Sequence, residues 1–285
     1  MRHGNFSYYE MIYRVGVIYA NLKIDEYSGV IVKTEAYKNL DPSEKSAISY
    51  LLGLVFVKWA CETFLEVSWL MHLDVYKKRY NVFVPGSRRP DLFGLDLNGE
   101  WLIAESKGRT GRFDTKAFTD ALNQVKKDVE IKGSIPKTKV AAQIFFSKDV
   151  LNLKIEDPPE RQGRPLEIDV TADEFILRYY SPILELLDHN EVDVIEDDGG
   201  ETYEMVRIKE WDIEIGIAAS LRKAIRERNI DYVFAILKKQ NFGKKNKENI
   251  KVGRDGIRVS VGSESWSVAQ TSKEPANRFE LNTQK

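Results

Sequence analysis

Three charged residues in the stretch RRPDLFGLDLNGEWLIAESKGR, residues 88–109, have the types and spacing that metal-assisted chemistry requires. Asp91 directly follows a proline, and Glu105 and Lys107 lie two residues apart at the end of an apolar run. Burying a carboxylate costs free energy unless a cation compensates it, and a second carboxylate nearby adds repulsion. Mg²⁺ would relieve both, because it binds one or two carboxylates together with water and phosphate oxygens.

Lys107 adds a positive charge to this pair. Residues two apart on a strand share one face and lie roughly 7 Å apart, so the Lys107 ammonium can approach a phosphate held beside Glu105. The set of Asp91, Glu105 and Lys107 therefore predicts metal-assisted hydrolysis of phosphodiesters. The alternative is a buried hairpin whose charged ends only reach solvent.

The pattern Pro90-Asp91 followed by Glu105-Ser106-Lys107 resembles the signature of the PD-(D/E)XK nucleases, the restriction-endonuclease-like superfamily. This resemblance implies that Asp91 and Glu105 hold Mg²⁺, or Mn²⁺ in its place, often with the backbone carbonyl of Ser106. It also implies that Lys107 positions or activates the attacking water and stabilises charge on the phosphate.

The short acidic-x-Lys pattern is weak by itself, since Glu130-Ile131-Lys132 repeats it at the end of a predicted helix. Two features make the first match more specific. Pro90-Asp91 is the only Pro-Asp pair in the chain, and both parts of the motif flank one Asn-Gly turn. The resemblance covers about residues 41–147.

The elements around the motif follow from local patterns. A long helix is predicted for residues 40–66, because Asp41 and Glu44 form a capping box. Its middle is apolar nearly all round, so we expect it to be largely buried. Residues 115–131 have the spacing of an amphipathic helix, and residues 139–147 predict a buried strand.

Two further strands and a hairpin lie between these helices. Residues 67–76, VSWLMHLDVY, alternate as a strand does and place His72 and Asp74 on one polar face, which borders the site or is exposed at a sheet edge. Asn98-Gly99 between two apolar runs predicts a hairpin. The order helix, strand, hairpin, helix, strand predicts an α/β fold, a restriction-endonuclease-like mixed β-sheet flanked by helices.

The hairpin raises a geometrical requirement. In a two-residue turn at Asn98-Gly99, Asp91 would oppose Ser106, and Glu105 would point to the other face. Catalysis therefore requires a shift of one residue. A bulge at Gly94 or a three-residue loop would supply it.

Two residues outside the motif are candidates for supporting roles. Glu62, near the end of the long helix, could reach the metal, or could simply pair with Lys58 one turn earlier. Gln124 resembles a glutamine that some branches of the superfamily place in the helix after the motif. Those branches often carry a tyrosine four residues later, where this chain has Asp128. The alternative for Gln124 is a solvated helix face.

Four arginines flank the motif and could neutralise the charge of a nucleic-acid backbone. They are Arg88, Arg89, Arg109 and Arg112.

Composition limits the class of protein. With 42% hydrophobic and 31% charged residues, the chain of 285 residues is globular. Its net charge of −1 conceals an acidic stretch at 185–214 and a basic stretch at 238–258. Cys61 is the only cysteine, which fits a reducing cytoplasm. No signal peptide, membrane span or Gly-x-x-x-x-Gly-Lys-Ser/Thr nucleotide loop is predicted.

Four regions are predicted along the chain. They are an N-terminal segment (1–40), the nuclease core (41–155), a second, smaller α/β region (166–265), which follows a Pro/Gly-rich linker, and a flexible tail (266–285).

These features predict a cytoplasmic, Mg²⁺-dependent DNA endonuclease. Its resemblance to isolated nuclease modules implies a restriction or anti-phage defence system, with a homo-oligomer or a defence protein as partner. The alternatives are a catalytically silent nuclease-like module that binds nucleic acid, and an assembly subunit.

Overall fold

The computed structural model describes residues 6–80, 82, 84, 89–158, 162–240, 242 and 249–262. The α-helices of these residues are α1 (Phe6–Asn21), α2 (Glu35–Asn39), α3 (Pro42–Phe64), α4 (Leu73–Tyr80), α5 (Thr115–Val125), α6 (Ala172–Asp188), α7 (Ala219–Arg226) and α8 (Ile230–Gln240). The strands are β1 (Leu22–Ile24), β2 (Ile31–Lys33), β3 (Val67–His72), β4 (Leu92–Asp96), β5 (Trp101–Gly108), β6 (Lys127–Ile131), β7 (Thr138–Ser147), β8 (Val150–Glu156), β9 (Gln162–Ile168), β10 (Asp193–Glu196), β11 (Thr202–Ile208), β12 (Ile213–Ala218), β13 (Ile250–Val252) and β14 (Ile257–Val261).

A seven-stranded mixed sheet forms the centre of the fold, in the order β1-β2-β8-β7-β5-β4-β3. β5 and β7 are parallel and are connected through α5, whereas β3, β4 and β5 are antiparallel neighbours. Helices cover both faces of the sheet. The predicted α/β class, with a mixed sheet flanked by helices, is confirmed.

α3 packs on one face of this sheet. Asp41 caps its N-terminus, and Glu44 completes the predicted capping box. Val57 and Cys61 contact the strands, and burial raises the pKa of the Cys61 thiol to about 12. Among the described residues, α3 is the helix that is long and apolar enough to cross a membrane, a criterion that core helices of soluble proteins also meet.

The opposite side of α3 is open to solvent. Val55, Trp59 and Phe64 are exposed there, so the prediction that this helix is largely buried is wrong. The buried stripe is narrower because the sheet covers only one side of the helix, and the other described contacts of α3 leave these three side chains open.

α5 and α6 cover the other face of the sheet. Phe175 of α6 packs against Phe93 and Trp101, with ring centroids 4.8 and 5.1 Å apart. Phe118 and Val125 of α5 belong to the same hydrophobic cluster. Aromatic side chains bury large areas, so this contact contributes strongly to the stability of the sheet.

The second region contains an antiparallel five-stranded sheet, in the order β10-β11-β12-β14-β13, together with α6, α7 and α8. It shares a core with the first sheet. The indole N–H of Trp69 donates to the Tyr180 hydroxyl over 2.9 Å, and its ring lies 5.2 Å from that of Phe234. One continuous hydrophobic cluster therefore joins residues from both regions.

The boundary between the regions is more ordered than a linker. β9 begins at Gln162, inside the stretch that the sequence predicted to be a linker. This strand pairs in parallel with β6. The predicted tail, 266–285, lies outside the described residues.

β3 is shorter than its sequence pattern predicts. It ends at His72, and α4 begins at Leu73, so Asp74 lies in a helix and not on the face of a strand. The N–H of Leu73 donates to the carbonyl of Asp91 over 2.8 Å.

Candidate catalytic site

The β4–β5 hairpin determines which side chains meet. Its pairs run without interruption from Leu92 opposite Ala104 to Leu95 opposite Trp101. Continued by one residue, this register places Asp91 opposite Glu105, so that both side chains lie on one face. The shift of one residue that catalysis requires is therefore present.

The shift comes from the turn. Asp96 donates its N–H to the carbonyl of Glu100 over 3.1 Å, and the N–H of Gly99 donates to the carbonyl of Asp96 over 3.2 Å. These bonds enclose a three-residue loop, and Gly99 has the positive φ of +79° that such a loop favours. The three-residue-loop alternative is confirmed.

The other alternative, a bulge at Gly94, does not occur. Gly94 pairs regularly with both neighbouring strands. A Cβ at this position would collide with the carbonyl of Trp69 and lie 2.7 Å from Leu70 Cδ1. The glycine is needed for close approach of β3. The irregularity of the sheet lies on β3 itself, at Ser68.

Asp91 and Glu105 are held by the backbone of the opposite strand. The N–H of Asp91 donates to Glu105 Oε2 over 3.1 Å, and the N–H of Ser106 donates to Asp91 Oδ2 over 3.0 Å. Asp91 Oδ1 accepts no hydrogen bond from the described residues. The pair thus has fixed positions, and one of its oxygens has no donor among those residues.

Burial makes this carboxylate pair electrostatically costly. Glu105 is 1% exposed. Its burial, and next the charge of Asp91, raise the pKa of Glu105 to about 7. Burial likewise raises the pKa of Asp91. Lys107 offsets part of this cost, since its Nζ lies 2.5 Å from Glu105 Oε1.

Gln124 belongs to the same cluster. Its side-chain oxygen accepts a hydrogen bond from Lys107 Nζ over 3.1 Å. α5 is held in place at its N-terminus, where the amide of Gln143 bonds both the N–H and the carbonyl of Asp114, over 2.8 and 2.9 Å. The structure therefore brings together four of the predicted residues: Asp91, Glu105, Lys107 and Gln124.

Ser106 points the other way. Its side chain lies against α3, where a Cβ at Gly53 would be 2.9 Å from Ser106 Oγ. A Cβ at Gly108 would collide with the carbonyl of Ser49. Two glycines thus allow α3 to approach the end of β5 closely. A role for the Ser106 carbonyl as a metal ligand stays a prediction.

The structure does not bring Glu62 to this cluster. Glu62 Oε1 accepts the N–H of Arg254 over 3.0 Å, in the turn between β13 and β14. Glu62 Oε2 lies 3.8 Å from Lys58 Nζ, which is the alternative pairing that the sequence suggested. Glu62 therefore joins α3 to the second region.

The arginines have different surroundings. Arg89 pairs with Asp74, and Arg109 Nε donates to Asp114 over 2.9 Å. Arg112 is exposed in the loop after β5. Arg88 lies outside the described residues.

Sequence reasoning missed Tyr50, whose hydroxyl lies 3.1 Å from His72 Nε2 at the same end of the sheet. Tyr50, Leu54, Val57 and Cys61 are spaced along one stripe of α3, and this helical spacing was the available signal. One of the two alternatives for His72 in the sequence was that it borders the site, and the structure places it there.

The donor set fits a hard divalent cation. Two adjacent carboxylates, one almost fully buried and both with raised pKa, would be relieved by a bound dication. No cluster of three or more His, Cys, Asp or Glu side chains suited to a metal occurs in the described part of the chain. Two carboxylates are nevertheless the number that Mg²⁺ commonly takes from a protein.

No protein-family model, curated protein or solved structure matches the chain. The resemblance to PD-(D/E)XK nucleases therefore rests on the residues and their arrangement.

Proposed function

We propose that this protein is a Mg²⁺-dependent endonuclease of the restriction-endonuclease-like, PD-(D/E)XK superfamily and that it cleaves DNA. The observation that carries the proposal is the shared face of Asp91, Glu105 and Lys107. A hairpin register other than the simplest one is needed to produce it. The order of α3, β3, β4, β5, α5 and β7 also agrees with the superfamily.

The residues have distinct roles in this reaction. Asp91 and Glu105 would hold Mg²⁺, which when bound supplies positive charge to the reacting phosphate and makes water a better nucleophile. Lys107 orients the attacking water and stabilises negative charge that develops on the phosphate. Gln124 accepts a hydrogen bond from the Lys107 ammonium and so restricts its position.

The choice of DNA rests on the superfamily and on nearby positive charge. Arg109 and Arg112 lie in the loop after β5, where they can contact backbone phosphates. A place in a restriction or anti-phage system, in the cytoplasm and with a partner protein, rests on analogy with isolated nuclease modules.

Incubation of supercoiled plasmid with protein and Mg²⁺ tests the proposal. We expect nicked or linear product from the wild type, and a loss on the order of 10²-fold or more for Asp91→Asn and Lys107→Ala. Lys132→Ala is the matched control, because Glu130-Ile131-Lys132 repeats the acidic-x-Lys pattern and Lys132 pairs with Asp169 at the surface. Equal cleavage by all preparations would reveal a contaminant and reject the proposal.

DNA binding without cleavage in that experiment would favour the silent nuclease-like module. Absence of both binding and cleavage would favour an assembly subunit.

A further inference from the structure

A tyrosine–histidine pair lies beside the carboxylates, and the roles proposed above do not use it. Tyr50 comes from α3, and His72 is the last residue of β3. Tyr50 Oη and His72 Nε2 are 3.1 Å apart. Tyr50 remains 47% exposed, so its ring is accessible to a ligand at the end of the sheet.

The register of the sheet places His72 beside the site. His72 pairs with Leu92, the residue after Asp91, and the N–H of Leu73 donates to the carbonyl of Asp91 over 2.8 Å. Burial raises the pKa of Tyr50, and the charges of Asp91, Asp74 and Glu105 raise it further, so its hydroxyl keeps its proton.

Hydrogen bonding shows how the hydroxyl can serve a ligand. His72 Nδ1 is buried and has no hydrogen-bond partner among the described residues. When His72 Nε2–H donates to Tyr50 Oη, the hydrogen of Tyr50 is free to point outward. A hydroxyl oriented in this way can donate to an acceptor that enters from solvent, and an oxygen of the bound phosphodiester would be one.

We propose that the Tyr50 hydroxyl donates a hydrogen bond to the phosphodiester held at the Asp91–Glu105–Lys107 cluster, and that His72 is the positioning residue for this hydroxyl. Lys107 approaches from the face covered by α5, and Tyr50 from the face covered by α3. The phosphate would lie between them at the end of the sheet. This inference rests on the proposed phosphodiester site. It adds a contact to the phosphate on the side opposite Lys107.

Tyr50→Phe removes only the hydroxyl and tests the contact. We expect kcat/KM for plasmid cleavage to fall about tenfold, the effect of one lost hydrogen bond, with an unchanged melting temperature. Tyr27→Phe is the matched control, since Tyr27 is 99% exposed. A Tyr50→Phe enzyme within about twofold of the wild type would overturn the proposal.

His72 is tested by rescue and by coupling. His72→Gln can place an amide N–H where Nε2 stands and should retain most activity, whereas His72→Leu should lose as much as Tyr50→Phe. The double variant with Tyr50→Phe and His72→Leu should be no worse than Tyr50→Phe alone, because His72 acts through Tyr50. Independent, multiplying losses would show that His72 does not position the hydroxyl.

A binding measurement separates this inference from the proposed catalysis. In a Lys107→Ala background with Mg²⁺, addition of Tyr50→Phe should weaken binding of a fluorescent linear duplex about tenfold, and Tyr27→Phe should not. If the wild type cuts nothing but this loss appears, the nuclease proposal fails and the Tyr50 contact stands. If the protein neither cuts nor binds DNA, both fail.

Discussion

The N–H of Asp91 donates to Glu105 Oε2 over 3.1 Å, while Asp91 Oδ2 accepts the N–H of Ser106, the residue next to Glu105. Each carboxylate is therefore oriented by the backbone that carries the other. This arrangement follows from the hairpin register. Its electrostatic cost is the proximity of two buried negative charges.

That cost predicts a pH-dependent stability in metal-free protein. The pKa of Glu105 rises on folding from 4.5 to about 7. The folded protein therefore binds this proton more tightly, and stability falls as pH rises between these values, by up to about 3 kcal/mol. Urea unfolding in EDTA at pH 5 to 8 should show this fall in the wild type, and a smaller fall in Glu105→Gln. Glu130→Gln, from the surface acidic-x-Lys triplet, is the control. Equal pH slopes in all three proteins would contradict the assignment.

A divalent cation should stabilise the folded protein, because it binds the native carboxylate pair and not the unfolded chain. At a Mg²⁺ concentration 100-fold above the dissociation constant, the gain is about 2.7 kcal/mol. Differential scanning calorimetry should show a melting temperature several degrees higher with Mg²⁺ than with EDTA. Asp91→Asn should abolish the shift, and Asp120→Asn, an exposed position on α5, should preserve it. A shift that survives Asp91→Asn would place the cation elsewhere.

Gly108 should be intolerant of even a methyl group. A Cβ there would collide with the Ser49 carbonyl, so α3 or the end of β5 must move, and Lys107 moves with it. We expect Gly108→Ala to cost about 1–3 kcal/mol of stability and most of the nuclease activity. Gly111→Ala is the control, because nothing lies within 4 Å of its Cβ position. The packing argument fails if the two variants have equal stability.

Gln124 should matter through Lys107. Its side-chain oxygen holds the ammonium at 3.1 Å, and a hydrogen bond to a charged group contributes about 1.5–3 kcal/mol. Gln124→Ala should therefore reduce the initial rate of plasmid cleavage by tenfold or more, roughly the rate equivalent of that energy. Asn123→Ala, exposed on the same helix, should cleave at the wild-type rate. Equal rates for the two variants would contradict this role and support the alternative, in which Gln124 lies on a solvated helix face.

Several local signals in the sequence predicted local structure, but the helical spacing of residues 115–131 did so only in part, since α5 ends at Val125 and β6 (Lys127–Ile131) follows it. The capping box of Asp41 and Glu44 and the hairpin at Asn98-Gly99 each depend on residues only a few positions apart. The need for a one-residue shift also followed from local geometry, given the expected chemistry. Of the two ways to produce this shift, the structure has the three-residue loop. Gly94, the candidate for a bulge, instead allows β3 to approach closely.

Long-range contacts were not predictable in the same way. The alternating pattern of residues 67–76 does not show that β3 ends at His72, where α4 begins. Tyr50 reaches the site because two glycines let α3 cross β5 closely. The stripe of residues on α3 predicts a buried side of the helix but not which element packs against it. Glu62 pairs with a turn nearly two hundred residues away, which no local pattern signals.

The common core of the two regions has an evolutionary consequence. Trp69, Phe93 and Trp101 on the seven-stranded sheet are covered by α6 and α8, so a fragment ending near residue 158 would expose them to water. We expect such a fragment to lose solubility if it were joined to an unrelated domain. A lineage that reuses this sheet should therefore keep its C-terminal cover, and the two regions should diversify together.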